Sequence, residues 1–244
     1  MAFTLLELMV VIAIISILGS LVLVCAGRVK QRAQEALCLS NLRQIGVGLK
    51  LYHDENRGRF PLRISMKGSV GTLPAGPESA ADWWDFTFAL GGQDVPSGPP
   101  AAQRPLAPYI KSAETFHCPA DKGDTFSSQA YWSRYGCSYG YNAFGPRLSG
   151  DGVGTTGLAN KNENWFSNPT SLVMMFERPA ANVGMERPIV LWHRAKGSTA
   201  LFLPQHYAEG HELVAPYLFL DGHAEVVIFK NGELPWESKR IVWR

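Results

Sequence analysis

Residues 8–27 form the run LMVVIAIISILGSLVLVCAG, which contains no charged side chain and sets the architecture that the rest of the chain must accommodate. At a rise of about 1.5 Å per residue, the run makes roughly 30 Å of helix, the thickness of a bilayer core. A cleaved signal peptide has a shorter apolar core of about 7–15 residues, which follows a basic stretch and ends in a small-x-small site. This run is longer, follows no basic stretch and continues without a break into a helical pattern, so we predict a helical membrane anchor over about residues 5–27.

The helical pattern continues beyond the apolar run, because the chain has no proline before Pro61. Apolar residues recur along one helical face at spacings of 4, 3, 4 and 3. These residues are Cys38, Leu42, Ile45, Leu49 and Tyr52. Asn56 and Gly58 then supply stop signals. We therefore predict an amphipathic extension over about residues 28–56, whose apolar stripe packs against the remainder of the protein.

The remainder, residues 59–244, is predicted to be one globular domain of strands and long loops that follows the helical segment 1–58. Five short segments are rich in β-branched and aromatic residues and are predicted as strands. They are residues 172–177, 189–192, 200–203, 217–220 and 225–229. Asp221-Gly222 suits a two-residue hairpin turn, and the Pro- and Gly-rich residues 91–108 are predicted as an exposed loop. The fold class that follows is α+β, a long N-terminal helix packed on an antiparallel sheet.

Composition and charge exclude several classes of function. The chain has 23 basic and 21 acidic residues, a formal charge of +2, so no basic surface for nucleic acid is predicted. The sequence contains no G-x-S-x-G, H-E-x-x-H or phosphate-binding loop. We therefore predict that the protein is not an enzyme and binds no nucleic acid.

The four cysteines, Cys25, Cys38, Cys118 and Cys137, form no C-x-x-C pair, so a zinc knuckle is not indicated. Cys118 and Cys137 lie 19 residues apart in a loop-rich stretch. In an oxidising compartment these two residues suit a disulfide. Two independent buried thiols fit the same pattern, and the sequence leaves both interpretations open.

Glu7 is the one charged residue at the start of the apolar run. A carboxylate in hydrocarbon costs about 2.5–3.5 kcal/mol, so such a residue has a partner and a task. Residues 3–15, FTLLELMVVIAII, resemble the cleavage and methylation segment of type IV prepilins. The resemblance implies that a prepilin peptidase cuts between Ala2 and Phe3 and methylates the new amine. It also implies that Glu7 pairs with the N-terminus of a neighbouring subunit, which offsets the cost of both charges and sets the register of assembly.

The body carries a second resemblance. His211, nine further residues and Asp221-Gly222 match the H-x9-DG motif of a bacterial branch of prepilin-like proteins, in which its role is undefined. Three other segments are similar to that branch: residues 38–46, 116–121 and 138–142. The resemblance implies a pilin-like fold and a structural subunit of a type IV pilus-like or type II secretion pseudopilus filament. The implied partners are copies of the chain, other pseudopilins, the prepilin peptidase, an inner-membrane assembly platform and the lipid bilayer.

The same resemblance implies a single-pass inner-membrane protein whose body lies in the periplasm or on an extracellular filament. A count of positive charges points the other way, because Arg28, Lys30 and Arg32 directly follow the anchor. We follow the motif, since a basic leader would restore the usual bias. The alternative function is a membrane-tethered envelope or carbohydrate-binding protein that does not polymerise, with Trp83-Trp84 as a sugar-stacking platform.

The histidines of the chain are not predicted to form a metal site. His211 and Asp221 sit towards opposite ends of a predicted strand and cannot share an ion. His117, Cys118 and Asp121 lack a fourth ligand, so the sequence predicts no metal and no other cofactor. Calcium is retained as an option, because oxygen ligands occur in a Gly-rich loop and related pseudopilins carry calcium there. Its candidate ligands are Asp151, Asn160, Asn162 and Asn164.

Overall fold

The structure is a computed structural model that describes residues 4–62, 90–96, 98–123, 129–143, 157–177, 192–193 and 213–229. At 21–26, 28 and 213 it describes the backbone only. All statements below concern these residues. Predictions for other positions, including Ala2, Phe3, Asp151 and His211, lie outside the described residues.

One helix, α1, spans Leu5–Glu55 and is 51 residues long. Thr4 caps its first turn, and no proline interrupts it. The helix ends where Arg57 and Gly58 adopt positive φ angles of 57° and 70° and turn the chain. The amide of Gly58 donates to the carbonyl of His53, which satisfies one of the last carbonyls of the helix. The predicted continuation of the helix to about residue 56 is therefore confirmed.

Four antiparallel strands form one sheet in the order β1-β2-β3-β4. The strands are β1 Tyr139–Tyr141, β2 Val173–Glu177, β3 Leu213–Phe219 and β4 Ala224–Phe229. The predicted strands 172–177, 217–220 and 225–229 correspond to β2, β3 and β4, while 200–203 lies outside the described residues, as does 189–191. The predicted α+β class, with a long N-terminal helix on an antiparallel sheet, is confirmed.

The turn between β3 and β4 differs from the predicted two-residue turn. The amide of Gly222 donates to the carbonyl of Phe219, and the amide of Phe219 donates to the carbonyl of His223. These bonds close a three-residue loop, Leu220-Asp221-Gly222. Only Gly222 has a positive φ, 91°, whereas a two-residue type I′ turn needs positive φ at both central residues. Asp221 instead accepts the amide of His223 through its side chain.

The second half of α1 packs on the sheet through the predicted stripe. Cys38, Leu42, Ile45 and Leu49 are fully buried, and Tyr52 is partly buried. A Cβ at Gly46 would lie 3.0 Å from a methyl of Leu218 in β3, so glycine permits the close approach of helix and strand there. The stripe thus forms the helix side of the hydrophobic core.

The prediction that residues 91–108 form an exposed loop is wrong in part, because some of these residues are buried. Leu106 is fully buried and Arg104 is 1% exposed. The Arg104 guanidinium donates to the carbonyls of Gly91 and Pro99 at 2.7 and 3.3 Å. A buried cation therefore organises the backbone of this segment, while other residues of the segment are exposed.

No helix among the described residues has both the length and the apolarity that a membrane crossing requires. The division into residues 1–58 and 59–244 stays a prediction. Within the described residues, α1 contacts β3, β4 and the 3-10 helix Ala113–Phe116, so its second half is part of the folded body.

Candidate functional site

The first half of α1 is an apolar surface with no covering element among the described residues. All side chains from Thr4 to Ser20 are exposed. Eleven large apolar side chains between Leu5 and Leu18 are 43–75% exposed. Exposed apolar surface on this scale marks an interaction site. The hydroxyls of Ser16 and Ser20 donate to carbonyls of their own helix, so they present little polarity at this surface.

Glu7, the predicted assembly residue, lies in the first turn of α1 and takes part in a capping box. Its carboxylate accepts the backbone amide of Thr4 at 2.9 Å and the Thr4 hydroxyl at 2.8 Å. The Thr4 hydroxyl in turn accepts the amide of Glu7 at 3.3 Å. The pattern Thr-x-x-Glu is the sequence signal for this cap. Glu7 therefore has a local structural role, and its carboxylate is held exposed at the very start of the helix.

A second candidate site is a buried cluster of four side chains that the sequence analysis did not bring together. Cys38 lies on α1, and Cys118 follows the 3-10 helix Ala113–Phe116. Glu177 ends β2, and His193 lies in the short described segment 192–193. All four are at most 2% exposed. We call these residues the Cys/Glu/His cluster.

The potential ligand atoms of the Cys/Glu/His cluster all lie within 4.8 Å of one another. Cys118 Sγ is 3.5 Å from His193 Nε2, which is 3.0 Å from Glu177 Oε1. Cys38 Sγ is 2.6 Å from Cys118 Sγ. Glu177 Oε2 is buried and has no hydrogen-bond partner among the described residues. A buried carboxylate with an unused oxygen is costly unless something else binds it.

Burial, hydrogen bonds and neighbouring charges shift the pKa values of the side chains in the cluster. Hydrogen bonding from Cys118 lowers the pKa of Cys38, while burial raises the pKa of Cys118, so Cys38 is the sulfur that ionises first. Burial alone would lower the pKa of His193, but the charge of Glu177 outweighs it together with the bond to Cys38, and the pKa rises to about 10. The pKa of Cys38 is therefore lowered and that of His193 raised by their neighbours within the cluster.

Side chains of α1 hold the backbone around Cys118 in place. Asn41 Nδ2 donates to the carbonyl of His117, and Gln34 Nε2 donates to the carbonyl of Pro119, each at 2.9 Å. Gln34, Cys38 and Asn41 are spaced at i, i+4 and i+7, which places them on one helical face. Two segments that resemble the prepilin-like branch, 38–46 and 116–121, therefore contact each other at the cluster.

The disulfide between Cys118 and Cys137 that the sequence left open is not formed, and both residues have free thiols. Cys118 faces Cys38, because the Cys118 backbone is bound to α1. The Cys137 thiol instead donates to the carbonyl of Tyr139 at 3.2 Å, and burial raises its pKa to about 12. Cys137 is thus an independent buried thiol, as the alternative to a disulfide predicts, whereas Cys118 belongs to the Cys/Glu/His cluster.

The other candidate ligands from the sequence have separate roles. His117 stacks on Trp132 and contacts Glu114, and Asp121 accepts the amides of Tyr131 and Trp132 at the start of the short helix α2, Tyr131–Tyr135. Neither joins Cys118 in a ligand set. Asp221 and Gly222 of the H-x9-DG motif form the β3–β4 turn described above.

The amides proposed for calcium also have local partners. Asn162 Oδ1 accepts the amide of Asn164 and caps the 3-10 helix Glu163–Trp165. Asn160 Oδ1 lies 3.4 Å from the guanidinium of Arg59, a cation that competes with calcium for this oxygen. Asn162 also forms an isolated bridge with Arg59. The described part of this loop is thus fastened to the end of α1, and calcium binding stays a prediction.

No protein-family model, curated protein or solved structure matches the chain. Functional inference therefore depends on the residues and contacts described above.

Proposed function

We propose that the chain is a structural subunit of a type IV pilus-like or type II secretion pseudopilus filament, assembled from copies of itself through the first half of α1. One observation carries the proposal: a single uninterrupted helix joins an exposed apolar half to a half that is buried in the body. The resemblance of residues 3–15 to prepilins supports the same conclusion. The partners are further copies and other pseudopilins, with a prepilin peptidase and an assembly platform acting beforehand.

The exposed half of α1 supplies the driving force for assembly. Burying one large apolar side chain is favourable by about 1.5–3 kcal/mol relative to full exposure. Eleven such side chains, each about half exposed, give on the order of 10 kcal/mol of gross stabilisation when they become buried. Association and side-chain ordering consume part of this. When several copies pack side by side, the same segment of the neighbouring copies covers the apolar half of each helix on every face.

Glu7 supplies the specificity of assembly. Its carboxylate is exposed at the start of the helix and is the only charge within the apolar half. Cleavage before Phe3 would create an amine that, in a dry filament core, needs a partner. A neighbouring Glu7 offsets the desolvation of both groups and selects one axial register among many apolar alternatives. The inner-membrane and periplasmic locations stay predictions from the sequence.

The test separates the charge of Glu7 from its capping role. Glu7→Gln keeps a capping-box side chain and removes the charge, whereas Thr4→Ala removes the cap and keeps the charge. Each full-length variant is expressed in its own host, and sheared surface fractions and envelopes are examined by immunoblot and electron microscopy. We expect filament incorporation to fall at least tenfold for Glu7→Gln and to be largely retained for Thr4→Ala.

Mass spectrometry of the wild-type N-terminus completes the test. Cleavage before Phe3 with a methylated amine supports the proposal. Normal filament incorporation of Glu7→Gln, or an intact Ala2–Phe3 bond in the native protein, contradicts it. A tethered protein that stays monomeric in envelopes, with no cross-links between α1 segments, would also overturn it.

A further inference from the structure

We propose that the Cys/Glu/His cluster is a binding site for one zinc-class divalent cation, with Cys38, Cys118, Glu177 and His193 as its four ligands. This inference goes beyond filament assembly and does not depend on it. It assigns a chemical role to four buried side chains that neither the sequence motifs nor the packing of the core accounts for.

The geometry of the cluster suits tetrahedral coordination. Zinc binds sulfur at about 2.3 Å and nitrogen or oxygen at about 2.0–2.2 Å, so tetrahedral ligands lie about 3.5 Å apart for S···N and about 3.4 Å for N···O. The observed separations are 3.5 Å for Cys118 Sγ to His193 Nε2 and 3.0 Å for His193 Nε2 to Glu177 Oε1. The two sulfurs, 2.6 Å apart, must separate to about 3.8 Å. Rotation of one cysteine about its Cα–Cβ bond provides this movement.

The type of ligand selects the cation. Two sulfurs and an imidazole favour zinc, and they disfavour calcium and magnesium, which require oxygen ligands. In the bound state both cysteines are thiolates and the imidazole is neutral, so the protons that Cys38, Cys118 and His193 hold in the free protein are released to solvent. Two thiolates and one carboxylate then face a doubly charged cation, which leaves a net charge of −1 at the site.

A disulfide between Cys38 and Cys118 is the competing explanation for the close sulfurs. It requires a disulfide-exchange oxidant to accept two electrons, and the sulfurs must approach to about 2.05 Å. It leaves His193 and Glu177 as a buried pair, with Glu177 Oε2 still lacking a partner among the described residues. A cation uses all four side chains and neutralises the buried carboxylate. The cation therefore accounts for more of the cluster.

The surroundings of the cluster are organised as metal sites require. Gln34 and Asn41 fix the backbone on both sides of Cys118, which positions this ligand before any cation binds. Tyr139 is fully buried next to the cluster and is the register partner of Glu177 in the β1–β2 pair.

A bound cation would connect distant parts of the chain. The four ligands come from α1, the segment after Ala113–Phe116, the end of β2 and residue 193. The site would fasten the helix to the sheet at the point where its exposed half gives way to its buried half. It is a structural site, because four protein ligands leave no open position for substrate.

The test uses the full-length protein in mild detergent, reduced and freed of metal. Co²⁺ is added as a spectroscopic substitute, and bound Zn²⁺ is then counted by elemental analysis. We expect one equivalent of metal, a thiolate-to-cobalt charge-transfer band and intense visible bands typical of tetrahedral cobalt. Cys137→Ser is the matched control, because Cys137 is also a fully buried free thiol but lies outside the cluster.

Cys38→Ser and Glu177→Gln are expected to weaken Co²⁺ binding at least about 100-fold, and Cys38→Ser should also reduce the charge-transfer intensity by half. Cys137→Ser should bind as the wild type does. Near-UV circular dichroism checks folding, and if a ligand variant does not fold, the wild type and Cys137→Ser still decide the question. Absence of stoichiometric binding to the reduced wild type would overturn the proposal. So would a Cys38–Cys118 disulfide in protein alkylated during lysis.

Discussion

Replacing Leu42 with alanine tests whether the second half of α1 is an integral part of the body. Leu42 is fully buried in the core, on the helix face that packs on the sheet. Truncating a buried leucine to alanine costs about 2.7–5 kcal/mol, because the lost burial adds to the cost of the cavity that remains. For a chain of this size, 1 kcal/mol shifts the melting temperature by about 2–4 °C. A loss of roughly 3–4 kcal/mol therefore predicts a decrease of about 6–16 °C.

Leu37→Ala is the matched control, since Leu37 lies on the same helix but is 50% exposed. It removes the same atoms from a position without tight packing, so a change within about 1 kcal/mol is expected. The assay is thermal unfolding of the full chain in mild detergent, followed by the near-UV circular dichroism of the buried tyrosines Tyr139 and Tyr141. Equal melting temperatures for the two variants would refute the packing of α1 on the sheet.

Three further predictions concern the body. Gly92→Ala should prevent or severely weaken folding, because its Cβ would lie 1.7 Å from the carbonyl oxygen of Gly136. Gly222 also has a positive φ but has open space around it, so Gly222→Ala should lower stability by only about 1 kcal/mol in the same thermal assay. Arg104→Met should destabilise by about 1–3 kcal/mol in denaturant titrations, because two buried carbonyls lose their donor. Cys137 should resist alkylation at neutral pH until the protein unfolds, and stability should decrease as pH rises from the unfolded pKa of 9.0 towards about 12, because the fold favours the protonated thiol.

The helix and its stripe could be predicted because their signals are local. Apolar spacing of 4 and 3 identifies one face of a helix, and the stop signals at Asn56 and Gly58 lie next to the residues they terminate. Strands β2 and β4 were predicted from similarly local composition. The β3–β4 turn was predicted only in position, because Asp-Gly is compatible with more than one loop length, and the positive φ of Gly222 alone selects the three-residue loop.

The Cys/Glu/His cluster could not be predicted in this way, because its members come from four parts of the chain. Cys38 and Cys118 are 80 positions apart, and nothing in the spacing of either cysteine indicates the other. Burial of Arg104 was missed for the same reason, since its partners are carbonyl groups, which any residue type can supply. Long-range contacts of this kind depend on the tertiary fold.

The capping box is different, because its signal was present in the sequence. Thr4-x-x-Glu7 is a recognised start of a helix, whereas the cost of a charge beside an apolar run predicts a partner in another subunit. In the structure, both backbone hydrogen bonds of the Thr4–Glu7 capping box are formed. The two explanations are compatible, since the carboxylate has further acceptor capacity and is exposed.

The continuity of α1 has a geometric consequence for the whole molecule. Because no residue between Leu5 and Glu55 interrupts the helix, the direction in which each side chain of the first half points is tied to the orientation of the sheet. Inserting one residue between Arg32 and the buried stripe would rotate one half relative to the other by about 100° and lengthen the molecule by about 1.5 Å. The helix therefore fixes the angle between the side chains of its exposed apolar half and the body, so a contact made by one of them determines the orientation of the other.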